Sequence, residues 1–254
     1  MALDAENPSS IYNCAKQARE NARAVRGSIT SEMWEVLNAT WLEMQNMDED
    51  RLYARGISTF FEWVKERSHL FRGVTFGTMR RDEAFQFHRL GTYMERADNT
   101  ARMLDVKYHV LLPSVDDVGG AVDYYQWSAV LRSVSAYESY RKVYRDSVTP
   151  VRIAELLILR VDIPRSLHFC MHDVYEILCT VQNRSSAEAT RQAGEIYAAM
   201  QFGRISNIFH TGLHEYLTEF LESTDRLGEE INESFFAPEV VAKTENNQHP
   251  EMLK

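Results

Sequence analysis

Helix-breaking residues are scarce in this chain: 11 glycines and 6 prolines are spread over 254 residues. Between them, apolar residues recur at intervals of three and four. Glycine and proline are the strongest local punctuation a chain has, and the turns that join strands depend on them. Long unpunctuated stretches with a 3.6-residue apolar period therefore dictate helices. The expected class is all-α, a helical bundle of about nine helices.

The first helix is expected to start beside Pro8, with Asn7 or Ser9 as N-cap, and to stop at Gly27. The second, "SITSEMWEVLNATWLEM", has Thr30 or Ser31 as cap and Met33, Trp34, Leu37 and Trp41 on one stripe. A third is expected from about Arg51 to Phe71, and the longest runs from Arg80 to Pro113. "SVDDVGG" reads as a loop. Val122 to Tyr144 is expected as one helix, with Tyr137, Tyr140 and Tyr144 in line. "TPVRIAELLIL" is short and apolar; helices over 163–183, 186–201 and 204–236 complete the set. The polar residues from Ala237 to Lys254 are expected to form a disordered tail.

A repeat runs through this pattern. Pro8-Ser-Ser-Ile-Tyr-Asn-Cys14 aligns with Pro164-Arg-Ser-Leu-His-Phe-Cys170, and the same 156-residue offset relates Gly56 to Gly212, Phe61 to Leu217 and Glu66 to Glu222. Residues 8–72 thus resemble 164–228, and two related halves within a single domain of residues 1–236 are expected. In the later copy a charged helix precedes Pro164; a counterpart in the earlier copy would fall before residue 1.

Composition narrows the function. The net charge of −9 opposes general nucleic-acid binding. No apolar run reaches the roughly 20 residues that span a bilayer, and the first ten residues lack the basic and apolar regions of a signal peptide. Cys14, Cys170 and Cys179 cannot all pair within the chain. Reduced thiols and a cytoplasmic location are expected.

Two helices carry charged shoulders. In "YMERADNTARMLD", Met94, Ala97, Ala101 and Leu104 form an apolar seam with Leu90 and Tyr108, and Glu95, Asp98, Arg102 and Asp105 run beside it. Arg96 lies one step further round. In the first helix Lys16, Arg19, Arg23 and Arg26 edge a seam of Ala15, Ala18, Ala22 and Val25, with Glu20 the acid nearby. Three readings are open. The rows can pair across a helix interface through planar arginine–carboxylate contacts. They can be solvated faces with weak i,i+4 pairs. Or they can line a pocket in which Glu95 is an acid or base and Arg96 or Arg102 holds an anion.

Those same segments, "ERADNTAR", "NPSSIxxCxxxARENARxVR", "EMWEVLN" and "PRSLxFC", resemble the alpha-E family, a bacterial all-helical domain named for its Glu-Arg motif. The resemblance spans residues 4–236. Family members typically begin with a helix bearing a first Glu-Arg motif; here Glu95-Arg96 is the copy that remains. The resemblance implies no established catalysis. It implies gene association with a circularly permuted ATP-grasp peptide ligase and a transglutaminase-like protease.

Elsewhere, His168 with His172 and His210 with His214 have metal-ligand spacing. The earlier copy places Tyr12, Lys16, Ala54 and Ser58 there, so edge histidines are expected, with no metal and no cofactor. The first expectation is an accessory protein that acts with the ATP-grasp ligase in peptide synthesis or modification. The alternatives are an enzyme using a cleft lined by Glu95 and Arg96, and a self-associating structural protein. An apolar seam near the first helix pair is expected to be exposed.

Overall fold

The computed structural model describes residues 2–47, 56–110 and 121–236, without the side chains of 108–110 and 121–122. The expected tail, the "SVDDVGG" loop, residues 51–55 of the expected third helix and the Tyr108 side chain lie outside the described residues. Every described element is a helix. In order they are α1 (Ile11–Ala24), α2 (Ser31–Gln45), α3 (Ile57–Thr78), α4 (Glu83–Val110), α5 (Ala121–Ser133) and α6 (Tyr137–Tyr144), followed by α7 (Pro150–Ile158), α8 (Leu167–Thr180), α9 (Ala187–Gln201), α10 (Ile205–Thr211) and α11 (Leu213–Phe235).

Eleven described helices replace about nine because two of the expected ones are broken. The stretch 122–144 divides at Ser135, whose φ of 55° is left-handed. Ala136 N–H donates to the Leu131 carbonyl (2.8 Å) and Ser135 N–H to Arg132 (3.0 Å). This is a Schellman stop with serine in the place usually held by glycine. The stretch 204–236 divides at Gly212, with φ of 110°.

Other boundaries also moved. Ser10, not Asn7 or Ser9, caps α1: its side chain accepts the Asn13 N–H at 3.1 Å. α3 continues to Thr78, past Gly73 and Gly77, with the Thr75 and Thr78 hydroxyls donating to the Phe71 and Val74 carbonyls.

The chain forms two compact units, Met1–Gln86 and Phe87–Lys254. In the first, α1 packs on α2 and α2 on α3. Its buried side chains form two small clusters, Met33 with Met79 and Phe85, and Trp41 with Met44 and Phe60. The Tyr12 and Trp41 rings lie 5.0 Å apart. A Thr30–Thr78 hydroxyl contact of 2.9 Å ties the start of α2 to the end of α3.

The second unit is built round α7, whose Ile153, Ala154, Leu156, Leu157 and Ile158 are fully buried, while Arg152 and Glu155 pair with Asp146 and Tyr144 at its polar edge. A helix with so wide an apolar face packs against a core. Tyr140 is buried too, and its hydroxyl donates to the Ser147 carbonyl and accepts the Thr149 N–H. Tyr137 and Tyr144 pack beside the same core, so the tyrosine stripe faces inward.

Helix bounds recur between the units. α8 and α9 match α1 and α2 in length, each bound lying 156 residues further along. Gly56 and Gly212, also 156 apart, share φ values of 90° and 110°. Ser10 and Ser166 cap their helices identically, each accepting the N–H three residues on.

Candidate functional site

On α1, Arg19 meets Glu20 at 2.5 Å and donates to the Asn38 side chain at 2.9 Å. Arg23 lies 3.7 Å from the same Glu20. Arg26, beyond the helix end, reaches the Ser31 hydroxyl. The Arg19 and Arg26 guanidinium groups lie over the Trp34 ring at 5.6 and 5.7 Å. Cation–π packing of this kind suits arginine, whose flat head stacks where an ammonium would be hydrated. Arg19, and Arg26 just beyond the helix, thus fasten this part of the chain to α2, while Arg23 pairs within α1.

The α4 row has different partners. Glu95 is exposed and accepts from the Asn99 side chain at 3.0 Å. Arg96 turns the other way and donates to the Pro164 carbonyl at 3.1 Å, its guanidinium 5.3 Å from the Tyr93 ring. The Glu-Arg dipeptide therefore splits: the acid faces water and the base clamps the turn that precedes α8. Asp98 and Arg102 pair at 2.8 Å within α4, and that bond holds the guanidinium more firmly protonated. Asp105 meets His214 Nδ1 of α11 at 2.7 Å. For each shoulder, the partners just named lie within its own unit.

Two further polar contacts, not foreseen from sequence, complete the α4 flank. Arg89 pairs with Asp173 of α8, above the Tyr93–Phe169 ring contact. Lys107, 2% exposed, pairs at 2.7 Å with Asp123 of α5, 7% exposed, and also touches Gln126. The signal for Lys107 was its place three residues after Leu104, a lysine on the apolar stripe. Burial pushes the Cys170 thiol up to about 12 against the opposing pull of Arg96, which leaves it a packing group rather than a nucleophile.

The histidine pairs do not converge. His168 is buried and donates Nδ1–H to the Leu159 carbonyl, while its ring and that of His172 pack on Tyr197. His214 is the partner of Asp105, and His210 is exposed on α10. Among the described residues no group of three or more histidine, cysteine or carboxylate side chains is placed to hold a metal. None of the described helices is long and apolar enough to cross a membrane.

These features define an all-helical protein whose charged motif is tied into helix packing on one side and open to solvent on the other. The chain belongs to the Alpha-E family, described as "A predicted alpha-helical domain with a conserved ER motif", which matches residues 1–236. No curated protein and no solved structure matches it.

Proposed function

We propose that the chain is an accessory protein that docks on a partner protein through its first unit. The thinness of that unit's core carries the reading. Of the described residues, seven hydrophobic side chains are buried in the first unit and thirty-one in the second. The first unit meanwhile exposes Leu42, Ile57, Phe61, Leu70 and Phe76, each more than two-fifths accessible. Large apolar groups left outside a sparse core mark a surface that gains stability when covered. Ile57 and Phe61, one turn apart on α3, are its natural anchors.

The partner proposed is a circularly permuted ATP-grasp peptide ligase, on the strength of the family's gene association, with a role in peptide synthesis or modification. The enzyme alternative draws less support, since the Arg96 guanidinium is engaged by a backbone carbonyl and Glu95 stands in solvent rather than in a cleft.

The test is affinity capture of the tagged chain from its native host, with the captured proteins identified by mass spectrometry. Recovery of an ATP-grasp protein in near-equal amount is expected, and Phe61→Glu should abolish it without unfolding the chain. Recovery of the chain alone, or capture indifferent to Phe61→Glu, would refute this docking mode.

A further inference from the structure

Helices α9 and α11 leave between them a cleft of about 390 Å³. That is within the range of small-molecule sites, roughly 300–1,000 Å³. Its apolar side is formed by the buried Met200 and Phe220 with Ile196. Its polar groups differ in how far they are already committed. Arg191 is held between Glu188 and Glu195, both at 2.5 Å. Arg226, also lining the cleft, has the neutral Ser223 hydroxyl as its partner at 2.9 Å. The Tyr216 hydroxyl is kept protonated, pushed up to about 12 chiefly by burial and further by the Glu219 charge. A guanidinium with a neutral hydrogen-bond partner thus borders an apolar wall.

The first unit shows what fills such a place when it is structural. The positions 156 residues before Ala199, Glu219 and Ser223 are Glu43, Trp63 and Arg67. There Glu43 accepts from the Trp63 indole at 2.9 Å and pairs with Arg67 at 2.9 Å, and the guanidinium covers the indole. In the second unit alanine, glutamate and serine stand instead, and the interlocked trio is gone. The space between α9 and α11 is therefore made by three particular side chains rather than by the helix geometry.

We propose that this cleft binds a small monocarboxylate with an apolar, ring-sized body, the carboxylate on Arg226, the body against Met200, Phe220 and Ile196. A flat, bidentate carboxylate suits a single guanidinium fork. A dianion such as phosphate is disfavoured, because Glu195 and Glu219 line the same cleft. The assignment is independent of the docking role of the first unit.

The test uses the full chain and 3-phenylpropionate, followed by isothermal titration and saturation-transfer NMR. Saturable millimolar binding is expected, with phenethylamine, the same ring on a cation, clearly weaker. Arg226→Gln, at an exposed position, should weaken binding about tenfold with an unchanged Tm. The triple variant Ala199→Glu, Glu219→Trp, Ser223→Arg rebuilds the first unit's filling and should abolish binding. Absence of saturable 3-phenylpropionate binding, equal binding of the amine, or indifference to Arg226→Gln would each overturn the proposal, whether or not the triple variant folds.

Discussion

Lys107 and Asp123 form an ion pair at a place where both are almost wholly buried. Removing one member of a buried ion pair costs about 3–5 kcal/mol, whereas replacing both by apolar groups of similar volume is often neutral. Lys107→Met should therefore lower the unfolding free energy by that amount in urea titration, and Lys107→Met with Asp123→Leu should recover most of it. A single variant as stable as the parent would show that the pair is hydrated. His88, also on α4, tests the opposite situation, an imidazole that burial holds below its ordinary value. Above about pH 6.5 it is neutral in both states and contributes no slope. As the pH falls below that, the unfolded chain takes up a proton that the folded chain refuses, and stability drops until the lowered folded value is reached. His88→Gln should flatten the stability profile between about pH 6.5 and 5, as read from urea midpoints at each pH. An unchanged slope would place the acid sensitivity elsewhere.

The two breaks in the helices make opposed predictions. Ser135 holds a left-handed conformation that costs a β-carbon-bearing residue about 1 kcal/mol, so Ser135→Gly should raise stability by up to that amount. Gly212→Ala should lower it by about 1–3 kcal/mol, because alanine strains at a φ of 110°; the Glu215 carboxylate near its β-carbon ends an exposed, flexible side chain that can move aside. Thermal melts of the two variants shifting in the same direction would contradict the assigned turns. These breaks also show what was legible at this scale. The helical class was plain, because sparse glycine and proline leave few places for anything else. The stop at Ser135 was hidden, since it uses the Schellman hydrogen bonds without the glycine that signals them. Likewise, the charged row on α4 was visible as a row. The partners of Arg96, Arg89 and Asp105 on that helix, at Pro164, Asp173 and His214, stand far away in sequence, where no local pattern points to them. The cleft between α9 and α11 was equally hidden, because it depends on which side chains meet across two separate helices.

At the scale of the whole molecule, the unequal cores imply unequal local stability. Regions with few buried apolar contacts open at lower free energy than a densely packed core. The contrast here lies between α1–α3, which share two clusters of three buried side chains, and α7, whose last three residues are all fully buried. Hydrogen exchange should therefore run at least tenfold faster through α1–α3 than through α7 and α8 in the isolated chain, roughly a difference of 1.4 kcal/mol in opening free energy. The docking proposal makes this gradient functional, because a partner that covers Leu42, Ile57 and Phe61 stabilises the segment it touches by mass action. Adding the partner ligase should slow exchange in α1–α3 and leave α7 and α8 as they were. Protection that appeared instead along α9 and α11 would move the docking surface to the second unit, and uniform exchange in the free chain would remove the physical reason for a partner at all.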